Sequence, residues 1–386
     1  MQLTRRYELG KAAAAQQGAA LSGSLRILRI DPLPTGSPIA WAAATWQRIA
    51  QLLPSLVIVA GGAPIVIGAA GTPRIARLFG PWRVGSSLDT VNSFLPIWLV
   101  TVAAGMLLAV ALRRGQPRVA SVLVGCAVLL AGSYPILREA AVGMQVEHPE
   151  ATGARLRVLQ FNAFGNNHDL DAAIAMIRKT DADIVAIEEP IKLLRRRAEL
   201  NRMYPYSTPC PRDCSALLLS KHRPLRIASD FRKGNWERLP DTPGNGPITF
   251  ARMDLQGHDG KPISFVAIHL FWPLPPAPAQ RQLDTLTRYI GQTDRTRTVL
   301  LGDFNLTPWS YAMRGLDDDL QPMTRLTRAL FSWPAYQWNS NAKWPFPFLP
   351  IDHVYAGSQW RATRVDRLPR AGSDHFPVVV DLRLRT

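Results

Sequence analysis

Three long stretches near the start of the chain contain no charged residue. They run from Ile49 to Pro73, from Thr90 to Leu112 and from Val119 to Leu137. Each has close to the roughly 20 residues with which a helix crosses the hydrocarbon core of a bilayer, and none has the polar face of a soluble helix. The pattern predicts a membrane region over residues 49–140. A buried helical bundle in a soluble domain is the alternative.

The predicted transmembrane helices cover residues 52–72, 92–112 and 119–137. Arg113, Arg114 and Arg118 crowd the short second loop, which favours a cytoplasmic position for that loop. The first loop also carries arginines over a longer stretch, so the asymmetry of charge is small. With the N-terminus inside, three crossings place the rest of the chain outside the cytoplasmic membrane.

The segment before these helices has a different composition. Residues 1–48 are basic, Ala-rich and interrupted by prolines, which predicts a poorly ordered tail. The start of the chain shows no short apolar core followed by a small-residue cleavage site, so we do not expect a removable signal peptide.

After residue 150 short β-type runs alternate with polar helical segments. The predicted strands are 156–162, 182–187, 215–220, 263–270, 298–305 and 378–384, and the predicted amphipathic helices are 169–180 and 278–290. This alternation predicts a layered α/β domain over residues 151–386.

One later stretch, residues 316–350, has no clear periodicity and is predicted to be a long surface loop near a site. It carries aromatic side chains at Trp333, Trp338, Trp344, Phe346 and Phe348. These residues and the segment 271–278 either rim the site, where they touch lipid or stack on bases, or pack against the sheet.

Composition narrows the class of protein. With 47% hydrophobic and 19% charged residues the chain is not of the disordered type. A net charge of +16 favours polyanionic partners, namely nucleic acid or an acidic lipid surface, although basic membrane-flanking segments would also produce it.

Cys210 and Cys214 have no second Cys or His pair nearby, which argues against zinc. In an oxidising compartment they could form a disulfide; unpaired thiols are the alternative.

Polar residues recur where the predicted strands end. They are Asn162, Glu188, Glu189, His269, Asp303, Asn305, Asp352, His353, Ser373, Asp374 and His375. Any one of them could be a turn former or a packing residue. Their recurrence favours a site, because strand ends at one edge of a sheet are where α/β proteins collect catalytic groups.

The types of these residues suit the hydrolysis of phosphate esters. A hard divalent cation prefers carboxylate and amide oxygens, a carboxylate or imidazole can deprotonate a water, and amide and imidazolium donors can stabilise charge on a phosphate. The chain has no Gly-rich phosphate loop, so nucleotide-driven phosphoryl transfer is not expected.

Several motifs then resemble those of one family. LRVLQFNAF, DADIVAIEEP, VAIHLFWP, LLGDFNLTP, PIDHVY and GSDHFPVVVDL, over roughly residues 155–386, are similar to the ordered motifs of the endonuclease/exonuclease/phosphatase (DNase I-like) superfamily. The resemblance implies an α/β (α+β) four-layer sandwich, with two packed β-sheets flanked by helices. With its apolar N-terminal helices, the chain also resembles membrane-tethered bacterial members of the family. This implies a multi-pass protein of the bacterial inner membrane with a periplasmic catalytic domain.

The resemblance implies a site for Mg2+ or Mn2+. Glu189 matches the family's metal-binding Glu, Asn162 the first-strand Asn that supports metal and phosphate, and Asp374 a residue that faces the metal. Glu188 stands where most members have Gln, and it either adds a second carboxylate or points away. Phe164 stands where many members have a polar residue, which weakens the expectation of a second metal contact there.

The same resemblance implies the catalytic roles. Asp303 would orient or deprotonate the nucleophilic water, and Asn305 would contact phosphate oxygens. His269 would donate to the scissile phosphate, and His375, held by Asp352, would also bind it.

Three functions remain open from the sequence. The first is a nuclease-like phosphodiesterase, and the second is an enzyme acting on a phospholipid or small phosphoester. The third is a non-catalytic membrane scaffold or receptor. The expected partners are the bilayer and a phosphoester substrate, with nucleic acid as one candidate and no organic cofactor.

Overall fold

A computed structural model describes residues 38–70, 89–148, 150–151, 153–210, 214–229, 249–274, 276–337 and 342–385. Residues 1–37 of the predicted tail and Trp338 of the predicted aromatic loop lie outside these ranges.

Helices α1 (Pro38–Ala70), α2 (Leu95–Leu112) and α3 (Gln116–Gly143) form the first part of the described chain. All three are long and apolar enough to cross a membrane. Helix α1 begins at Pro38, so the predicted tail is wrong for residues 38–48. Those residues are rich in Ala, the best helix former, and proline is favoured in the first turn of a helix.

Glycines let α1 and α2 approach closely. A Cβ on Gly105 would lie 2.8 Å from the backbone nitrogen of Ile58, and one on Gly61 would lie 2.7 Å from the carbonyl oxygen of Trp98. Large apolar side chains, among them Leu107 and Leu130, point outward instead. Small residues between helices and apolar residues outside are typical of helices packed in a bilayer.

After α3, the described residues form two six-stranded sheets. The first has the order β11-β12-β1-β2-β4-β3, and its strands are β1 (Arg155–Asn162), β2 (Ile184–Glu188), β3 (Tyr206–Ser207), β4 (Ala216–Ser220), β11 (Trp360–Arg367) and β12 (Val378–Leu384). Strands β1 and β2 are parallel.

The second sheet has the order β5-β6-β7-β8-β10-β9. Its strands are β5 (Arg226–Ser229), β6 (Thr249–Gln256), β7 (Pro262–His269), β8 (Thr298–Asp303), β9 (Thr324–Arg325) and β10 (Asp352–Ala356). Strands β7 and β8 are parallel, whereas β10 runs antiparallel to β8.

Helices cover the outer faces of both sheets. Helices α4 (Leu170–Thr180) and α5 (Arg197–Met203), with the 3-10 turn Leu193–Arg196, lie on the first sheet, and α6 (Pro276–Gly291) and α7 (Tyr311–Asp319) lie on the second. A core that includes Val158, Phe265 and Val380 fills the space between the sheets. The expected four-layer sandwich is therefore confirmed.

The stretch 316–350 is not the surface loop that was predicted. It contains the end of α7 and strand β9, and Arg325 and Leu326 are buried. Its helix end and strand are short and are buried among other segments. Its apolar residues therefore show no regular spacing from which these elements could be predicted. Its aromatic part does reach the edge of the sheets described below.

Cys210 and Cys214 are joined by a disulfide and are buried against the outer face of the first sheet.

Candidate active site

The topology brings the polar strand ends together at one edge of the sandwich. Asn162 pairs in register with Glu188 at the ends of β1 and β2. In the other sheet, Asp303 is the register partner of both His269 and Asp352. Because parallel strands end at the same edge and the sheets pack face to face, these side chains meet between the sheets.

Asp303 is the centre of the cluster. Its Oδ2 accepts a hydrogen bond from Nδ2 of Asn162 at 2.9 Å, and its Oδ1 accepts one from the backbone N–H of Asn305 at 2.9 Å. The Nε2 atoms of His375 and His269 lie 3.6 and 3.8 Å from Oδ2. This carboxylate, 1% exposed, thus faces an amide and two imidazoles.

The glycine before Asp303 is required by the sheet. Gly302 has φ of 153°, and a Cβ there would lie 1.9 Å from the carbonyl oxygen of Ile268 on β7. A side chain at this position would push β8 away from β7, and with it Asp303 away from His269.

Burial and charge shift the acidities of this cluster. Burial raises the pKa of Asp303 to about 6, against the opposing effect of the positive charge on His375. Burial works against ionisation of His375, but the charges of Asp352 and Asp303 nevertheless raise the pKa of His375 well above its ordinary value. The two carboxylates thus favour the protonated form of the His375 ring.

Asp352 holds the His375 ring from behind. Its Oδ2 lies 2.8 Å from Nδ1 of His375, and its Oδ1 accepts a hydrogen bond from Nε2 of Gln160 at 2.7 Å. Burial alone would raise the pKa of Asp352, but the charge and hydrogen bond of His375 lower it below its ordinary value. Ser373 supports the ring as well, because its Oγ accepts from the backbone N–H of His375 at 3.0 Å.

Glu188 points away from the expected metal site. It is fully buried between the sheets, where its Oε2 accepts from Nε2 of Gln160 at 2.8 Å. Burial, with the charges of Asp352 and Asp303, raises the pKa of Glu188 well above its ordinary value. As the last residue of β2 it lies on the inner face with Ala186, and this alternation separates it from Glu189.

Glu189 directs its carboxylate to the open side of the cluster. Its Oε2 accepts from the backbone N–H of Gly165 at 2.8 Å, and its Oε1 lies 3.4 Å from Nδ2 of Asn162 and 3.9 Å from Nε2 of His269. Its φ of 47° lies in the left-handed region, as does the φ of 52° at Asn305. Such conformations cost energy and concentrate at functional sites.

Asp374 binds an aromatic side chain. Its Oδ2 accepts from Nε1 of Trp333 at 3.1 Å, and its Oδ1 is buried without a hydrogen-bond partner among the described residues. Burial raises the pKa of Asp374, against the opposing charge of His375. A buried oxygen with no donor is a strong candidate to face a cation.

Two sets of residues could hold a divalent cation. Ligand atoms of Asp303, Asp352 and His375 lie within 4.8 Å of one another. In that set the two carboxylates favour a protonated His375 ring, whereas a metal would require the ring to be neutral. Glu189 and Asp374 offer carboxylate oxygens instead, including the unpartnered Oδ1 of Asp374, and oxygen donors suit a hard cation. Oδ1 of Asn162 already accepts from the backbone N–H of Phe164 at 3.0 Å, so only its second lone pair could join them.

Other predicted site residues have local roles. Asn305 donates from Nδ2 to the carbonyl oxygen of Leu270 at 2.9 Å, which fixes the loop after β8. His353 is a packing residue: its Nε2 lies 3.0 Å from the carbonyl oxygen of Leu306, and burial lowers the pKa of His353 to about 3.

An apolar rim lies beside Asp374. The ring of Trp333 packs against Trp272 and Phe348, with centroids 5.9 and 5.8 Å away. Phe271, Trp272 and Leu274, which lie two to five residues after His269 in the chain, are exposed. Both predicted aromatic segments therefore reach the site through Trp333.

Two further residues, Gln160 and Trp333, belong to the site although neither is one of the predicted site residues. A signal for Gln160 existed, because it is a polar residue on the inward-facing alternation of β1, two positions before Asn162. No local pattern marks Trp333, because its partner Asp374 is distant in the sequence.

Comparison with known proteins places these residues in context. The sequence model of the Endonuclease/Exonuclease/phosphatase family matches residues 159–375. No curated protein matches the chain.

Similar solved structures each cover about three fifths of the chain. A family protein from Bacteroides vulgatus has 18% identity and a TM-score of 0.46, over 60% of this chain and 100% of that one. A mannosyl-6-phosphatase from Bacteroides thetaiotaomicron has 17% identity and a TM-score of 0.43, over 59% and 99%. The human Nocturnin catalytic domain with bound sulfate has 15% identity and a TM-score of 0.45, over 60% and 96%.

Proposed function

Because the chain belongs to the endonuclease/exonuclease/phosphatase family, we propose that it is a divalent-metal-dependent phosphoesterase that hydrolyses phosphodiesters while anchored in a membrane. The observation that carries the proposal is the position of Asp303. Its Oδ2 lies 2.9 Å from the amide of Asn162 and 3.6 Å from the imidazole of His375.

Asp303 has the acidity of a general base. With a pKa of about 6 it is ionised at neutral pH and still basic enough to accept a proton from an attacking water. Its hydrogen bonds with Asn162 and Asn305 fix the direction of its carboxylate oxygens.

The two histidines supply donors for a phosphate. His375 carries a positive charge that Asp352 holds in orientation at 2.8 Å. His269 lies between Asp303 and Glu189, at 3.8 and 3.9 Å. Preorganised donors of this kind stabilise the charge that builds up on phosphate oxygens.

Glu189, Asn162 and Asp374 would hold the cation, which we propose to be Mg2+ or Mn2+ because the donors are oxygens. When bound, the cation neutralises charge on the phosphate.

The membrane anchor is proposed from the three apolar helices. Arg113 and Arg114 lie between α2 and α3, whereas the catalytic domain follows the other end of α3. If that basic turn is cytoplasmic, the catalytic domain lies outside, in the periplasm of a bacterial cell. A disulfide between Cys210 and Cys214 fits an oxidising compartment.

This topology is tested by labelling single cysteines in intact cells with a membrane-impermeant maleimide. Cysteine in place of Asp366, whose side chain is 47% exposed, should react, whereas cysteine in place of Arg114 should react only after the cells are lysed. The reverse pattern would place the catalytic domain in the cytoplasm.

Two classes of substrate are each supported by a different feature of the chain. Nucleic acid is supported by the net charge of +16. A phospholipid head group is supported by the exposed Phe271, Trp272 and Leu274 next to His269.

The full-length protein in detergent should be assayed on plasmid DNA, single-stranded oligonucleotide, RNA, sphingomyelin vesicles and bis-p-nitrophenyl phosphate. Each substrate is tested with Mg2+, Mn2+ or EDTA. Asp303→Asn and His375→Ala should abolish turnover, while Asp284→Asn, at an exposed position on α6, should not.

The preferred substrate then chooses between the two classes. Turnover that persists in EDTA, or in Asp303→Asn, would contradict the proposed mechanism. A folded protein that binds the cation and turns over none of these substrates would favour the non-catalytic scaffold.

A further inference from the structure

Two carboxylates of the helical region, defined here as residues 38–70 and 89–143, contact opposite ends of helix α7 in the catalytic domain. We propose that Asp89 is a positioning residue for the catalytic loop, residues 303–310, and that Asp89 and Glu139 seat the catalytic domain on the helical region. The helical region would then be part of the enzyme's working structure, which goes beyond its proposed use as an anchor.

Asp89 caps the N-terminus of α7. Its Oδ1 accepts a hydrogen bond from the backbone N–H of Tyr311 at 2.7 Å, and its Oδ2 accepts one from the backbone N–H of Ala312 at 2.9 Å. The helix's own cap, Ser310, accepts from Met313 at 3.1 Å. Asp89 therefore takes the first N–H groups, which Ser310 does not reach, and its negative charge suits the positive end of the helix.

Asp89 is itself held by the helical region. Nδ2 of Asn92 donates to Oδ1 of Asp89 at 3.0 Å and to the carbonyl oxygen of Gly68, near the end of α1, at 2.9 Å. Asp89 is only 6% exposed. The contact with α7 is thus built into the packing of α1 and is not a loose surface approach.

Glu139 contacts the other end of α7 through arginines. Its carboxylate lies 3.1 Å from Nη2 of Arg325 and 3.2 Å from Nη1 of Arg328. Arg325 in turn binds both oxygens of Asp317, which is on α7, at 3.0 and 2.8 Å. Glu139 stands on the apolar helix α3, and a buried carboxylate there needs such partners.

The catalytic loop connects this helix to the site. Residues 303–310 are all buried, so the loop has little freedom to absorb a movement of α7. It begins at Asp303, passes Asn305 and ends at Ser310, directly before the two residues that Asp89 binds. A shift of the α7 N-terminus would therefore move the groups that orient Asp303.

The proposal predicts separate effects on the loop and on turnover. In the full-length protein in detergent, Asp89→Ala should raise the hydrogen exchange of amides in residues 303–312, and above all of Tyr311 and Ala312. It should lower kcat on bis-p-nitrophenyl phosphate by on the order of tenfold with little change in KM, because small misplacement of catalytic groups affects the chemical step.

Conservative and control variants sharpen the test. Asp89→Asn keeps one acceptor oxygen and should recover much of the protection and of kcat. Glu139→Gln should raise exchange near Asp317 at the far end of α7. Asp171→Ala removes another aspartate, one that is exposed and paired with Arg196 on the surface, and should change neither quantity.

Unchanged exchange in residues 303–319 for both Asp89→Ala and Glu139→Gln would overturn the seating. Raised exchange with unchanged kcat would overturn the positioning role of Asp89. Hydrogen exchange needs no substrate, so it tests the contact between the catalytic domain and the helical region even if the wild-type protein hydrolyses no phosphoester. That lack of hydrolysis would contradict only the proposed function.

Discussion

The substitution Gln160→Met tests how the site is held from inside the sandwich. Nε2 of Gln160 donates to Oδ1 of Asp352 at 2.7 Å and to Oε2 of Glu188 at 2.8 Å. Methionine has a similar unbranched shape but no donor. The change therefore removes two hydrogen bonds while leaving the packing of β1 nearly intact.

The expected destabilisation follows from the two hydrogen bonds that the substitution removes, one to Asp352 and one to Glu188. A hydrogen bond to a charged group contributes about 1.5–3 kcal/mol and one between neutral groups about 0.5–1.5 kcal/mol. The bond to Asp352, whose pKa is lowered, belongs to the first kind, and the raised pKa of Glu188 brings its bond toward the second. Burial of the methionine side chain offsets part of this loss. We expect a net destabilisation of about 2 kcal/mol, which lowers the melting temperature of a domain of this size by about 4–8 °C.

The loss of the hydrogen bond from Gln160 to Asp352 should also change how the stability of the protein depends on pH. The hydrogen bond from Gln160 helps to lower the pKa of Asp352, which burial works to raise. Since a lowered pKa gives stability that is lost as pH falls through it, removal of Gln160 should start that loss at a higher pH. The pH below which the melting temperature falls should therefore move to a higher value.

Melting and turnover of the full-length protein in detergent would be compared with Gln280→Met. Gln280 also donates to a carboxylate, Asp284 at 2.8 Å, but it does so at the surface of α6. The control should change stability by less than about 0.5 kcal/mol. Equal melting temperatures and equal pH profiles for the two variants would refute the supporting role of Gln160.

Three further predictions concern the cluster and the disulfide. Turnover should rise with pH through about 6, because Asp303 must lose its proton to act as a base. Asp352→Asn should lower kcat, on the order of 100-fold or more, since the neutral amide no longer stabilises the charge on His375, and its pH optimum should move to lower pH. Iodoacetamide should label Cys210 and Cys214 in the unfolded protein only after reduction, as read by mass spectrometry.

Each of these three predictions would be contradicted by a specific result. Full activity well below pH 6 would exclude Asp303 as the base whose pKa is about 6. An unchanged pH profile in Asp352→Asn would mean that His375 does not act as a cation. Labelling of both thiols without reduction would show that the disulfide is absent, with the free Cys126 serving as the positive control.

Much of the fold followed from the sequence. Uncharged runs marked the three apolar helices because each run is about as long as a helix that can cross a bilayer, and the alternation in segments such as 156–162 and 378–384 marked strands. Helix ends were less predictable: α1 begins at Pro38 because local Ala-rich helix propensity extends it beyond the uncharged run. Short strands such as β9 escaped because two residues carry no periodicity.

The sequence by itself determined which residue types stand at the strand ends, since motifs such as GDFN and SDH are local. Only the tertiary structure decided which of them meet. The inward alternation of β2 turned Glu188 toward Gln160 and left Glu189 at the opening. Likewise, only the folded chain brought Asp89 to α7 and Trp333 to Asp374. These contacts join distant segments, and a pattern with a period of a few residues does not contain them.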